Sequence, residues 1–104
     1  MPIWQAAAVI AISRFQVPQE RAEEFSTLAQ AAIAALEVAD GFLTADLGRN
    51  LDEPTLWTIT TRWVNVGSYR RGLGSYQAKV TQAPLQPWSI DEPSAYGDSD
   101  DLVL

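Results

Sequence analysis

Leu56-Trp57-Thr58-Ile59-Thr60-Thr61-Arg62-Trp63 runs, after only two residues, into Val66-Gly67-Ser68-Tyr69-Arg70-Arg71-Gly72-Leu73-Gly74-Ser75-Tyr76-Gln77-Ala78-Lys79-Val80. The first stretch reads as a strand, because β-branched and aromatic residues dominate it. Alternation puts Trp57, Ile59, Thr61 and Trp63 on one face and Thr58, Thr60 and Arg62 on the other. The second stretch reads as a helix whose Val66, Tyr69, Leu73, Tyr76 and Val80 recur at spacings of three and four, the stripe by which a helix lies on a sheet. Neither face of the strand is polar enough to stand in water. Something has to cover each.

Working back toward the N-terminus, Asn50-Leu51-Asp52-Glu53-Pro54 reads as a turn and residues 41–49 (GFLTADLGR) as an antiparallel partner strand. Before it, Ala22, Phe25, Leu28, Ala29, Ala32, Ile33 and Leu36 form a helical face. Pro18 suits that helix's first turn, Glu20, Glu23 and Glu24 complement its dipole, and Gly41 fits a left-handed C′ position. Residues 6–15 (AAAVIAISRF) read as a strand buried on both faces, although an alanine-rich run could also start a helix. Working forward, Asn65 is placed to cap the second helix, and Gly72 and Gly74 weaken it and could shorten or kink it. Pro84 and Pro87 predict an extended segment through Leu85, Trp88 and Ile90, and residues 93–96 a last short strand. The order β-α-β-β-α-β predicts an α+β, ferredoxin-like antiparallel sheet with helices on one face.

The 104 residues make one domain, 1–104, with Asp98, Asp100 and Asp101 in a solvated, flexible acidic tail over 98–104. An apolar content of 47% against 19% charged residues is rich for so small a chain, and suggests a core continued across a subunit interface. The net charge is −6 and the basic residues are scattered apart from Arg70-Arg71, which argues against nucleic acid and against an anionic membrane. The seven-residue apolar run over 6–12 is too short to span a bilayer and lacks the basic flank of a signal peptide, so a cytoplasmic protein is expected. With no cysteine, no histidine and no glycine-rich dinucleotide loop, the chain lacks thiolate nucleophiles, histidine triads and histidine metal sites. No metal, haem or flavin is expected.

In this order the residues resemble the antibiotic biosynthesis monooxygenase family of dimeric α+β barrels, over residues 15–96. The resemblance is carried by Gly41-Phe42-Leu43 after an amphipathic helix, and by Thr61-Arg62-Trp63 followed by Val66-Gly67-Ser68-Tyr69-Arg70. Ser75-Tyr76-Gln77-Ala78-Lys79-Val80 and Ile90-Asp91-Glu92-Pro93-Ser94-Ala95-Tyr96 are similar to an actinobacterial-type subgroup. The resemblance implies a homodimer with two sheets packed face to face, and a pocket inside each subunit between sheet and helices. It also implies cofactor-independent oxidation of a small aromatic, polyketide-like phenol by dioxygen, in which the electron-rich substrate anion itself reduces oxygen. The haem-degrading branch relies on a helical histidine, and several relatives carry a histidine near the position of Gly72; this chain has neither.

Within that frame the candidate catalytic residues are Asn50, Trp57, Tyr69 and Arg62, and the candidate substrate-binding residues are Trp57, Trp63, Tyr76 and Ile59. Asn50 ends the second strand, where its amide could bind a substrate oxygen; it could equally be a turn residue. Trp57 and Trp63 could wall a flat ligand or pack the core. Tyr69 and Tyr76 sit on the stripe expected to face the sheet, where a buried phenol needs a partner, protein or substrate. Arg62 could stabilise a phenolate, or pair with a carboxylate such as Asp46 at the subunit interface. The expected void is lined by Trp57 and by Tyr69 or Tyr76, with Asn50 at its mouth. The alternative to catalysis is a non-catalytic dimeric barrel that binds a small apolar molecule or serves as an accessory or stress-related protein.

Overall fold

Four antiparallel strands in the spatial order β2-β3-β1-β4 form one sheet in a computed structural model, which describes residues 9–97. The strands are β1 (Val9–Gln16), β2 (Phe42–Arg49), β3 (Leu56–Trp63) and β4 (Ala95–Tyr96). The helices are α1 (Ala22–Glu37), α2 (Val66–Gly74) and α3 (Tyr76–Gln82). This is the expected α+β, ferredoxin-like arrangement. The central pair is in register over its whole length, from Val9 opposite Trp63 to Gln16 opposite Leu56. Trp57, Ile59, Thr61 and Trp63 are all buried under the helices, while Arg62 is exposed on the open face. Residues 6–8 of the expected first strand and the acidic tail lie outside the described residues.

α1 covers the sheet with Phe25, Ala29, Ala32 and Leu36 buried, the spacing that the sequence presents. Burying a side chain of the size of Phe25 or Leu36 contributes about 1.5–3 kcal/mol. A short 3-10 turn (Gln19–Arg21) separates Pro18 from α1, so the proline lies one step before the α-helix rather than in its first turn. At the other end α1 stops at Glu37, and Gly41 lies beyond a Val38-Ala39-Asp40 turn instead of at C′. Its φ of +85° is left-handed all the same. A Cβ there would overlap the Ser68 side chain and sit 2.8 Å from Val64, so glycine lets the turn lie against the start of α2.

Two expectations downstream of β3 fail. The helix expected over residues 66–80 is two helices. Asn65 does cap the first, accepting a hydrogen bond from Ser68 N at 2.8 Å. Ser75 then swings to an extended ψ of 154° and caps the second, accepting from Ala78 N at 3.1 Å. Gly72 and Gly74 make the first helix weak enough to end there. The break shifts the phase of the stripe beyond it, so Ala78 is buried while Tyr76 and Val80 face solvent, Tyr76 with 76% of its surface exposed; Val66, in the first turn before the break, is exposed as well. The Pro84–Pro87 region is also not extended: residues Ala83–Trp88 form a 3-10 helix. Proline's fixed φ is compatible with that geometry, and Leu85 is thereby turned into the core. The chain becomes extended only at Ser89, which bridges to Phe15. Among the described residues no helix is long and apolar enough to cross a membrane.

Candidate functional site

The inward face of the sheet is large at both ends and small in the middle. Register places Ala45, Thr61, Ala11 and Ala95 in one row across all four strands. On one side of that row Trp63, Val9, Leu36 and Ala78 form a core cluster. On the other side Phe15, Val17, Phe25, Trp57, Ile59 and Leu85 form a second. Small side chains cannot fill the distance to the helices, and a cavity of about 230 Å³ remains. Ala11, Ser13, Ile59 and Thr61 line it from the sheet, and Ala32, Ile33 and Leu36 from α1. Tyr69 and Leu73 of α2, with Gln82, Leu85 and Gln86, complete the helical side. An engineered apolar cavity of about 150 Å³ holds benzene. Two fused rings fit here.

Thr61 is the best-placed polar group in this lining. It is buried, and its Oγ1 accepts a hydrogen bond from Trp63 Nε1 at 2.9 Å, so its own hydroxyl proton is available to a ligand. Tyr69 packs edge-on against Trp63, with centroids 6.0 Å apart, and its hydroxyl makes no hydrogen bond among the described residues. Two hydroxyl-bearing residues therefore line one space. Replacing Thr61→Val, which keeps the shape, is expected to leave the Trp63 indole N–H unpaired in the core and cost about 1–3 kcal/mol in urea denaturation. The same change should weaken any ligand that uses the Thr61 hydroxyl.

The cavity's rim is the segment that follows the 3-10 helix. It is hydrogen-bonded to β1 at both ends, by Ile90 N to Arg14 O at 2.9 Å and by Ile12 N to Ser94 O at 2.7 Å. Between these bonds Glu92 reaches Arg14. Arg14 Nε donates to Oε2 at 2.7 Å and Nη2 to Oε1 at 2.6 Å, a two-pronged pair. The hydrogen bond from Arg14 holds the Glu92 carboxyl below the ordinary carboxylate range, and Glu92 raises Arg14 further. A lowered carboxylate contributes stability that is present above its unfolded pKa and lost as pH falls through the folded value. The pair is therefore expected to be intact at neutral pH and to open in acid below that ordinary range, visible as faster amide exchange at Ile90 and Ile12.

The sequence matches the family model described as antibiotic biosynthesis monooxygenase over residues 8–84, most of the chain. The chain belongs to that family. No curated protein sequence matches it. Among solved structures it is similar to a conserved protein from Methanosarcina mazei Go1, with 20% identity, a TM-score of 0.77, and 92% of this chain and 95% of that one covered. It is similar also to SnoaB, a cofactor-independent oxygenase from Streptomyces nogalater, with 20% identity, a TM-score of 0.76, and 88% and 92% covered. Rv0793 from Mycobacterium tuberculosis follows at 18% identity and a TM-score of 0.71, with 88% and 92% covered. At these identities the structures attest the fold.

For this member of the monooxygenase family, the structure brings only part of the expected site together. Tyr69 and Ile59 line the cavity. Trp63 lies beneath it, fully buried, and touches it through Thr61 and Tyr69. Trp57 is not in its lining but in the neighbouring core cluster, 5.2 Å from the Phe25 ring. Tyr76 is exposed on α3, because the break at Ser75 turns it outward. Asn50 is a turn residue away from the cavity mouth: its Oδ1 accepts from Asp52 N at 2.9 Å and Glu53 N at 2.8 Å. Arg62 points to the open face opposite Thr44 and Ile10, and no ion pair with Asp46 forms within the subunit. Asn50 and Trp57 instead border a shallow hollow on that open face, with Ile12, Thr58 and Thr60. Sequence reasoning missed Thr61, Gln82, Gln86 and the Arg14–Glu92 pair. An arginine ending an apolar strand was the one available signal for the last.

Proposed function

We propose that this protein is a cofactor-independent monooxygenase of a small aromatic, phenol-type substrate held in the cavity between the sheet and the helices. The observation that carries this reading is a ring-sized cavity of mixed apolar and polar lining, with Thr61 and Tyr69 among its lining residues. In the reaction a ring CH2, or its phenol tautomer, becomes a carbonyl. The carbon gives up two hydrogens and four electrons and takes one oxygen atom from dioxygen, and the second oxygen atom leaves as water with the two hydrogens. The part assigned to the chain is to exclude water, to orient the ring against Ile59 and Leu36, and to donate hydrogen bonds from Thr61 and Tyr69 to the substrate oxygen as negative charge gathers there. Family membership supports the reaction class, and the cavity's size and lining support the substrate class.

The same reading includes a homodimer through the open sheet face, where Ile10 and Ile12 are half-buried beside Thr44, Thr58 and Thr60. Sedimentation at micromolar concentration should give a dimer. Dioxygen uptake with anthrone- and naphthol-type phenols should give one oxygen consumed per quinone formed, and Ala32→Phe, which fills the cavity from α1, should abolish it. A second reading, a barrel that binds a small apolar molecule without turnover, is favoured by one fact. Among the described residues the one carboxylate in the lining, Glu92, is committed to Arg14, and none of them offers the cavity a free carboxylate base. Tight binding of these phenols with no oxygen uptake would establish that second reading instead.

A further inference from the structure

The lining of the cavity is charge-balanced. Among the described residues that line it, Arg14 and Glu92 alone are charged, and two short hydrogen bonds of 2.7 and 2.6 Å join them. Other polar groups in the lining include the amides of Gln82 and Gln86 and the hydroxyls of Ser13 and Ser89, all neutral. We infer that Glu92, by neutralising Arg14 along the Nε–Nη2 edge of its guanidinium, makes this cavity select uncharged ligands bearing hydroxyl or carbonyl oxygens over carboxylates, and is its specificity-determining residue. This rests on the cavity being the ligand site.

The reason lies in what each ligand needs. A carboxylate that leaves water must recover its hydration from a cation, and a planar guanidinium is the best match for it. Here that match is already made by a side chain of the same chemistry. An incoming carboxylate would have to displace Glu92 and leave it beside a second anion, or remain unpaired next to it; both are costly. A hydroxyl or carbonyl needs one donor or acceptor, and an amide supplies either. The pair is partly exposed, with 43% and 27% of the two side chains accessible, and Arg14 borders the hollow on the open sheet face as well as the cavity, so a ligand's polar end can reach it from that side. A free Arg14 in the same place would invert the preference.

The test compares two probes with one ring system, 2-naphthalenemethanol and 2-naphthoate, titrated at neutral pH into the full chain by calorimetry. The wild-type protein is expected to bind the alcohol at least about tenfold more tightly than the carboxylate, the scale of one unpaired charge. Glu92→Gln keeps the side-chain size and removes the negative charge; the ratio between the two probes should collapse or reverse as naphthoate gains Arg14. Adding Arg14→Met to Glu92→Gln should take that gain away. Equal affinities in the wild type overturn the inference. So does a Glu92→Gln protein in which both affinities move by the same factor, because Glu92 would then only fasten the rim. A gain that survives Arg14→Met overturns it too. If neither probe binds the wild type, or if Ala32→Phe binds them as well as the wild type does, the cavity is not the ligand site. That outcome removes the proposed function and this inference together, whereas the others leave the function standing.

Discussion

Replacing Trp63→Ala is expected to lower the folding free energy by about 3–5 kcal/mol. That is a large part of the roughly 5–15 kcal/mol that holds a domain together, and the melting temperature should fall by on the order of 10–30 °C. Trp63 has no exposed surface. It packs edge-on against Phe42 at 5.4 Å and Tyr69 at 6.0 Å, and it hydrogen-bonds Thr61. Its ring also occupies the space beside Gly72, where an added Cβ would overlap the ring's Cη2 and lie 2.6 Å from Cζ3. Gly72→Leu alone should therefore be destabilising by about 1–3 kcal/mol, despite the roughly 0.8–1 kcal/mol of helix propensity that leaving glycine returns. In the Trp63→Ala background the same change should be stabilising, because it refills the vacated space. Thermal melts of the two single variants and the double variant form a cycle in which the sign of Gly72→Leu reverses. If Gly72→Leu is harmless in the wild type, α2 is free to move off the sheet and the close fit described here is wrong.

Trp57→Ala should cost a similar 3–5 kcal/mol or so of stability, and it should spare ligand binding in the folded protein. The sequence pointed to Trp57 as a pocket wall. In the structure it is 9% exposed within the cluster of Phe15, Val17, Phe25 and Leu85, with the Arg49 guanidinium 4.9 Å above its ring. Its indole N–H is buried without a hydrogen-bond partner, so Trp57→Phe loses packing but no bond. Trp63→Phe loses the bond to Thr61 as well, and should be the costlier of the two. A Trp57→Ala protein that melts near the wild type but no longer binds aromatics would move the ligand from the cavity to the hollow on the open sheet face.

Much of the architecture was legible because it rests on local periodicity. The period of two in residues 56–63 and the period of three and four in residues 22–36 are properties of the chain alone, and the structure keeps both. The expectations that failed did so where a single residue resets the phase. Ser75 prefers to cap a new helix rather than continue one through Gly72 and Gly74, and that choice turns Tyr76 from a sheet-facing residue into an exposed one. Pro84 and Pro87 permit either an extended chain or a 3-10 helix; the burial of Leu85 decides for the helix.

By itself, the sequence determined which side chains of β3 share a face, that helices cover one side of a β-α-β-β-α-β sheet, and that chemistry depending on histidine or cysteine is closed to this chain. Only the tertiary structure decided where the cavity is. It arises because β-sheet register sets Thr61 beside Ala11, residues far apart in the chain, and no local pattern encodes that coincidence of small side chains on two strands. The same holds for Arg14 and Glu92, which lie 78 residues apart and meet because the segment after the 3-10 helix returns to the edge of β1. Period and propensity act over a few residues, whereas a cavity is what remains unfilled when distant elements are brought to packing distance.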